Sequence, residues 1–244
     1  VDQTTEQVRL LMRVKQVLKE RALMLYAQPI HNREGEGYHE ILTRMRCGDS
    51  VIMPDQFIPL IVQFNLSQRF DMLVLETLFS VLHQHPGQRF SVNLLPATLM
   101  QKDSAVQIIA LFQRYAVSPD LITIEVTEEQ AFSNADISQQ NLEALRAFGC
   151  AIAIDDFGTG YANYERLKHL QADIIKIDGC FVRDILTDPL DAIMVKSIVE
   201  MARAKQMSVV AEYVESEPQK ARLLELGVNY LQGYLVGKPQ PLGE

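Results

Sequence analysis

Residues 23–44, LMLYAQPIHNREGEGYHEILTR, contain two apolar segments with the composition of β-strands. The first segment is Leu23–Pro29 and the second is Tyr38–Arg44, and the loop between them is short and polar. Two parallel strands need a crossover connection of about a dozen residues or more, which this loop cannot supply. We therefore expect the two strands to be antiparallel, and a regular eightfold parallel barrel is excluded at this end of the chain.

The rest of the chain alternates short apolar segments with longer amphipathic ones that carry helix signals. Asp188-Pro189 is an N-cap followed by proline, and Gly149 follows an apolar pattern with helical spacing. The further candidate strands are Phe90–Leu94, Leu121–Val126, Cys150–Ile154, Ile174–Ile177, Ser208–Ala211 and Tyr230–Leu231. Strands that alternate with helices in this way predict either a parallel barrel or a doubly wound sheet.

The composition is typical of one packed domain with an acidic surface. The chain has 244 residues, of which 48% are hydrophobic, and a single barrel typically has about 250. The net charge of −8 argues against a nucleic acid polymer as partner, because its phosphates attract a basic surface. Cys47, Cys150 and Cys180 lack metal-binding spacing and are typical of reduced thiols in a cytoplasmic domain.

The first residues predict a helix, because apolar residues recur there at helical spacing. These residues are Val8, Leu11, Val14 and Leu18. The chain begins with Val1 and not with Met, so we expect a piece of a longer protein. No secretory leader is visible in it. We assign residues 1–21 to an N-terminal helix or linker from an upstream region and residues 22–244 to the folded domain. No segment here has the roughly 18 apolar residues of a membrane span. A membrane anchor upstream in the full-length protein is left open.

Polar side chains end one candidate strand after another, where a packed core would reject them. The carboxylates are Glu40, Glu125, Asp155, Asp156, Asp178 and Glu212, and the other polar residues are Asn93, Lys176 and Gln232. The carboxyl ends of parallel strands meet on one face, which holds the active site of such folds. Carboxylates crowded together repel one another unless they are protonated or bind cations. Oxygen ligands suit Mg²⁺ or Mn²⁺, and no histidine or cysteine pattern suggests zinc.

Each of these residues alone has an ordinary explanation. A single glutamate at a strand end is usually solvated, Asp155-Asp156 before Gly158 is compatible with a turn, and Lys176 is compatible with a surface lysine. Residues 157–160 lack the Gly-Lys-Ser/Thr ending of a P-loop, so they are a weak phosphate-binding signal. Because the polar pattern recurs at the same end of at least five strands, a shared cation site is the better interpretation.

Motifs between about Leu23 and Pro241 occur in the order found in one known family. They are Tyr26–Ile30 (YAQPI), Glu40–Arg44 (EILTR), Ser91–Leu94 (SVNL), Ile124–Glu128 (IEVTE), Asp155–Tyr161 (DDFGTGY), Lys176–Asp178 (KID), Ala211–Glu215 (AEYVE) and Gln232–Tyr234 (QGY). The chain resembles the EAL-domain cyclic di-GMP phosphodiesterases. The resemblance implies an α/β fold over residues 22–244, namely a modified TIM-type (β/α)8 barrel with an antiparallel first strand.

The resemblance implies hydrolysis of cyclic di-GMP to linear pGpG with two divalent cations, Mg²⁺ or Mn²⁺. The implied ligands are Glu40, Asn93, Glu125 and Asp155 for the first cation, and Asp155 with Asp156, Asp178 and Glu212 for the second. Lys176 is implied to orient the attacking water or to help deprotonate it. Glu212 is the other candidate for the base, and Glu40 completes the catalytic group.

The resemblance also implies substrate contacts and an assembly. The implied substrate contacts are Gln28, Leu42, Arg44 and Gln232. Glu128 is implied to anchor the loop at 157–164, which in the family helps to form a homodimer. The implied loop and dimer residues are Glu128, Phe157, Gly158, Thr159, Gly160, Tyr161 and Glu215. We expect a sensory or cyclase-like domain upstream in the full-length protein.

Four departures from the family pattern stand beside these motifs: Ile41 for alanine, Met45 for a common tryptophan, Leu95 for a polar residue and Tyr213 for a glycine. Tyr213 matters most, because glycine permits a backbone angle that tyrosine resists. The alternative functions are a non-catalytic cyclic di-GMP receptor, another metal-dependent barrel enzyme such as an enolate-forming lyase, and regulation by protein contact with a vestigial metal site. Because every metal-position residue is present, an active phosphodiesterase is the preferred prediction.

Overall fold

A computed structural model describes residues 2–160 and 164–243, and its strands close into a barrel. The strands of the described residues are β1 Leu23–His31, β2 Gly37–Cys47, β3 Ser50–Ile52, β4 Phe90–Asn93, β5 Ile122–Thr127, β6 Ala151–Phe157, β7 Ile174–Ile177, β8 Ser208–Ala211, β9 Tyr230–Gln232 and β10 Gln240–Pro241. The helices are α1 Gln3–Glu20, α2 Pro54–Gln63, α3 Ser67–Val81, α4 Pro96–Leu99, α5 Ser104–Arg114, α6 Glu128–Ala131, α7 Asp136–Phe148, α8 Tyr164–His169, α9 Pro189–Ala204 and α10 Glu217–Glu225.

The barrel follows the order β1-β2-β4-β5-β6-β7-β8-β9 and closes from β9 back to β1. Strand β1 is antiparallel to both of its barrel neighbours, whereas the pairs from β2–β4 to β8–β9 are parallel. The reversal follows from the short turn after β1, where the Asn32 side chain accepts the N–H groups of Glu34 and Glu36. This arrangement confirms the predicted modified TIM-type (β/α)8 barrel with an antiparallel first strand.

The helices surround the barrel, and the main hydrophobic core lies between the two layers. Helix α1 contributes its second half to this core, because Val14, Val17 and Leu18 are buried there. The predicted helix is confirmed, although Val8 is 54% exposed on the first half of α1 and does not join this core. None of the described helices is long and apolar enough to cross a membrane.

The predicted cap of α9 and the predicted end of α7 are confirmed, whereas the ends of several predicted strands are shifted by about one to three residues. Asp188 caps α9, and Gly149 with its positive φ of 126° ends α7. Phe157 was expected to open the loop after β6, but it is the last residue of β6 and only 2% exposed. Its aromatic side chain packs into the core, so the loop begins one residue later, at Gly158.

Candidate active site

An apolar layer fills one end of the barrel interior and supports the site. Its buried members are Ile30, Tyr38 and Val210, with Ile174 and Tyr230 packed against them. Side chains on a strand face the same side at every second position. One such step from this layer leads to Glu40 on β2, Lys176 on β7, Glu212 just after β8, Gln232 on β9 and, backwards along the reversed β1, Gln28. The alternation therefore places these polar side chains together inside the barrel, toward the carboxyl ends of its parallel strands.

Lys176 lies at the centre of this polar layer and is completely buried. Its Nζ is 3.1 Å from Glu125 Oε1 and 3.3 Å from Glu212 Oε1, and it also contacts Glu40 Oε1. Glu40 Oε1 further accepts a hydrogen bond of 3.3 Å from Gln232 Nε2. One ammonium group thus holds three glutamates from different parts of the barrel.

The burial of these charges changes their acidity. Burial alone would lower the pKa of Lys176, but the carboxylates of Glu125, Glu40 and Glu212 outweigh it and hold that pKa well above its usual range. Burial, together with the charge of Glu40, raises the pKa of Glu125 to about 8. Burial likewise raises the pKa of Glu212 well above its usual range. Burial and the neighbouring carboxylates together therefore disfavour the ionised glutamates, and Lys176 offsets this only in part.

A β-bulge directs two adjacent aspartates into the same cavity. Neighbouring residues of a strand normally point to opposite faces. Between Ile154 and Phe157, however, β6 has one residue more than β7 opposite it, and Asp156 has a positive φ of 53°. An extra residue in a left-handed conformation re-aims the side chains around it, so Asp155 and Asp156 both line the cavity.

These two aspartates and Glu212 form a cluster that fits a divalent cation. One carboxylate oxygen from each of the three lies within 4.8 Å of the others. Burial, with the charges of Asp155 and Asp178, raises the pKa of Asp156 to about 6. Glu212 Oε2 is buried and has no hydrogen-bond partner among the described residues. An unpaired buried oxygen beside two further carboxylates suits a hard cation such as Mg²⁺ or Mn²⁺.

A cavity of about 520 Å³ opens above the carboxylates. Three predicted substrate residues line it, namely Gln28, Leu42 and Gln232. The amide groups of Gln28 and Gln232 are joined by a hydrogen bond of 3.1 Å. The cavity is also lined by Gly233, Tyr234 and Pro239, none of which was predicted as a site residue. Gly233 and Tyr234 directly follow Gln232, the polar residue that ends β9. That strand end was the signal in the sequence that could have identified them as site residues.

Other predicted residues lie near the cavity without lining it. Asn93 Nδ2 donates a hydrogen bond of 3.4 Å to Glu40 Oε2, so this amide adjoins the buried glutamates. The Asp178 side chain accepts the Cys180 N–H and faces a neighbouring cavity. Arg44 shares a strand face with Glu40, but its guanidinium stacks on the ring of Tyr26, with Cζ 3.9 Å from the ring centroid.

The loop after β6 is attached to α6 through Glu128. Glu128 Oε2 accepts the N–H groups of Gly158 and Thr159 at 3.2 Å each, and the Thr159 hydroxyl at 3.4 Å. Gly160 also belongs to the described part of this loop, whereas Tyr161 lies outside the described residues. Glu215, predicted with this loop, lines the main cavity.

Tyr213 stands where the family pattern has glycine, and it adopts a backbone conformation that glycine favours. Its φ is 59°, in the left-handed region that favours glycine. The tyrosine directly follows Glu212 and lines the main cavity. The departure from the family pattern therefore lies within the site itself.

Comparison with known proteins identifies the family. The family model of the EAL domain matches residues 12–239. The chain belongs to the EAL domain family. It is 60% identical over 246 residues to the probable cyclic di-GMP phosphodiesterase PdeA of Escherichia coli (strain K12), and the match covers 99% of this chain and 34% of that protein.

Further EAL relatives support the same assignment. The chain is 44% identical over 242 residues to the cyclic di-GMP phosphodiesterase PdeF of the same strain, and the match covers 97% of this chain and 32% of that protein. The chain thus spans about a third of the length of these curated relatives. The solved PaMucR phosphodiesterase complex with c-di-GMP is 34% identical, with a TM-score of 0.87 over 96% of this chain and 98% of that one. The names of these relatives are consistent with a hydrolase.

Proposed function

We propose that this chain is a cation-dependent phosphodiesterase domain that hydrolyses cyclic di-GMP to linear pGpG. The observation that carries the proposal is the buried Lys176 among three glutamates, directly beside the cation-type cluster of Asp155, Asp156 and Glu212. Neither packing nor solubility explains such a cluster, because it costs free energy to bury like charges beside one another. Relatives with 60% and 44% identity that are named cyclic di-GMP phosphodiesterases support the choice of substrate.

The cation ligands of the proposal are divided into two groups. Glu40, Asn93, Glu125 and Asp155 would hold the first ion, and Asp155 with Asp156, Asp178 and Glu212 the second. When bound, two Mg²⁺ or Mn²⁺ ions would lower the pKa of a water molecule and neutralise phosphate oxygens. The raised pKa values of Glu125, Glu212 and Asp156 support this assignment, because they reflect burial together with neighbouring carboxylates whose repulsion a cation would relieve.

Lys176 is proposed to orient the attacking water. The carboxylates of Glu125, Glu40 and Glu212 hold the pKa of Lys176 well above its usual range, which favours a hydrogen-bond donor over a base. Glu212 is the better candidate for the base, because its Oε2 has no hydrogen-bond partner among the described residues and the residue lines the cavity. Glu40 is proposed to fix the position of Lys176 through their direct contact.

The substrate contacts of the proposal surround the cavity. Gln28 and Gln232 offer amide groups for the bases or the ribose, and Leu42 offers an apolar contact. Arg44 would supply the planar donor that suits a phosphate. Its guanidinium stacks on the ring of Tyr26.

The proposed assembly extends beyond this barrel. Glu128, Gly158, Thr159 and Gly160, with Phe157, Tyr161 and Glu215, are proposed to shape a homodimer contact. Residues 1–21 are proposed to connect an upstream sensory or cyclase-like domain to the barrel over residues 22–244. The proposed location of the barrel is the cytoplasm, where cyclic di-GMP is available.

Chromatographic separation of nucleotides after incubation with cyclic di-GMP and Mg²⁺ or Mn²⁺ tests the proposed reaction. We expect pGpG to accumulate with the wild-type chain, and its formation to stop with EDTA and in Glu40→Ala. Glu76→Ala, which changes a glutamate on the outer helix α3, is the matched control and should retain activity.

Three outcomes would contradict the proposal in different ways. Binding of cyclic di-GMP without product would indicate a receptor. Product formation that survives both EDTA and Glu40→Ala would exclude cation catalysis at this cluster. The absence of both binding and product would exclude cyclic di-GMP as the ligand.

A further inference from the structure

Tyr213 exposes an aromatic side chain beside the carboxylate cluster. The residue is 67% exposed, although it lines the same cavity as Asp155, Asp156 and Glu212. It also lines the neighbouring cavity of about 470 Å³, so it lies where the two cavities meet. No other ring or cation stacks on it in the part of the chain that the structure describes. Large aromatic side chains that only serve packing are normally buried.

The backbone at Tyr213 is held in an unfavourable conformation. A φ of 59° is uncommon for a residue with a side chain, and more so for a bulky one. Strained residues of this kind cluster at ligand-binding and active sites, where the surrounding structure holds them in place. The strain at Tyr213 therefore points to a role for the tyrosine side chain.

Gly179 provides the space that the ring occupies. A Cβ atom at position 179 would lie 2.4 Å from Tyr213 Cδ2 and 2.9 Å from Cγ. The backbone of Gly179 is not in the positive-φ region, so its conformation does not require glycine. The absence of a side chain at position 179 thus leaves space for the ring of Tyr213, which packs directly on this backbone.

We propose that Tyr213 is a stacking platform for one base of the cyclic dinucleotide and so determines substrate affinity. This proposal rests on the proposed function. Bases stack on exposed aromatic rings with little regard to sequence, and removal of such a ring typically weakens binding about tenfold or more. The ring is fixed on one side by Gly179, which reduces the entropy lost when a base stacks on it. The carboxylate cluster lies beside the ring, so a dinucleotide can reach both.

The absence of tryptophan from the chain permits a direct test, because an introduced indole is the only one present. Tyr213→Trp keeps an aromatic ring at the site, and a guanine stacked on the indole should quench its fluorescence. We expect rapid quenching on mixing with cyclic di-GMP, before product accumulates. Phe64→Trp, at an exposed position after α2 that does not line the cavity, is the control and should show no quenching. Unchanged emission from Tyr213→Trp in a chain that hydrolyses cyclic di-GMP would overturn the proposal.

Steady-state kinetics separate stacking from catalysis. Tyr213→Leu should raise KM for cyclic di-GMP about tenfold and leave kcat nearly unchanged, because the ring contacts a base and not the phosphate. Tyr213→Phe should retain the wild-type KM. An unchanged KM in Tyr213→Leu would contradict stacking, and an effect on kcat alone would indicate a role in the catalytic step instead.

Gly179→Ala displaces the ring without changing it chemically. We expect the same increase in KM as in Tyr213→Leu, and no further increase when the two changes are combined, because both remove one interaction. The Tyr213→Gly, Gly179→Ala double variant has no clash and should fold normally. Additive effects of the two changes on KM would show that Tyr213 and Gly179 do not act through one interaction.

If the wild-type chain neither binds nor hydrolyses cyclic di-GMP, the proposed function fails together with this inference. If the wild-type chain binds and hydrolyses cyclic di-GMP and the Tyr213 and Gly179 variants behave as the wild type does, only this inference fails.

Discussion

At the scale of single residues, Lys176 Nζ lies within hydrogen-bonding distance of oxygens from Glu40, Glu125 and Glu212. All four side chains are buried. Taking such charges out of water is costly, and the cost is offset only while each charge keeps its partners. The ammonium group is therefore expected to matter for folding as well as for catalysis.

Lys176→Met should lower the free energy of unfolding by about 3–5 kcal/mol, because it leaves buried carboxylates without a counter-charge. Denaturant unfolding measures this change. Lys196→Met, on the exposed face of α9, is the matched control and should have little effect. Equal stability of Lys176→Met and the wild type would show that the glutamates do not depend on this ammonium group.

Tyr213→Gly should raise the free energy of unfolding by about 1 kcal/mol, because glycine adopts a φ of 59° without strain. Ala116→Gly is the matched control, since Ala116 has a φ of 51° in a turn after α5. Both variants should gain stability in thermal unfolding, but only Tyr213→Gly should change KM. A loss of stability in Tyr213→Gly would mean that ring packing on Gly179 outweighs the backbone strain.

Much of the site was predictable at this scale, because the polar ends of apolar strands are visible in the sequence. The positive φ of Tyr213 was also anticipated from the expected glycine. The shared direction of Asp155 and Asp156 was not, because it depends on a bulge that only the register between β6 and β7 reveals. The stacking of Arg44 on Tyr26 likewise depends on a neighbouring strand.

At the scale of elements, Asp71 joins helix α3 to the segment that follows β4. Its buried Oδ2 accepts the Leu95 N–H at 2.8 Å and contacts the Thr98 hydroxyl. Oδ1 is buried without a hydrogen-bond partner among residues 2–160 and 164–243. Burial raises the pKa of Asp71 from 3.8 to about 7, although the two hydrogen bonds oppose the shift.

This raised pKa predicts a stability that falls with rising pH. Between about pH 4 and pH 7 the folded chain retains a proton on Asp71 that the unfolded chain has lost. The contribution of Asp71 is therefore complete below pH 4 and is lost as the pH rises through 7, by up to about 4 kcal/mol. Asp71→Asn should remove this part of the pH dependence. Parallel stability curves for the two proteins across this range would contradict the assignment.

The elements themselves were largely predictable from periodicity and capping residues. The antiparallel first pair followed from loop length alone. Strands β3 and β10 were missed, because they have three and two residues and no hydrophobic alternation of their own. Their pairing with β2 and β1 is decided by the tertiary structure.

At the scale of the whole molecule, the barrel collects carboxylates from distant parts of an acidic chain. Glu40 and Glu212 are far apart in sequence, yet both contact the same lysine. The net charge of −8 adds to the repulsion that a bound cation would relieve. Cation binding and global stability should therefore be linked.

Addition of Mn²⁺ to the EDTA-treated chain should raise its stability by about 2.7 kcal/mol at a concentration of 100 times Kd. Thermal unfolding measures this shift. Asp155→Asn should reduce the gain, whereas Glu200→Gln, on the exposed side of α9, should retain it. The same shift in Asp155→Asn and the wild type would locate the cation elsewhere.

The most direct test of the cation site is the amount of Mn²⁺ bound per chain in equilibrium dialysis with cyclic di-GMP. The wild-type chain should bind about two ions, as expected for a two-metal hydrolase, and Asp155→Asn should bind fewer. Binding of no Mn²⁺ by a chain that still hydrolyses cyclic di-GMP would contradict the account.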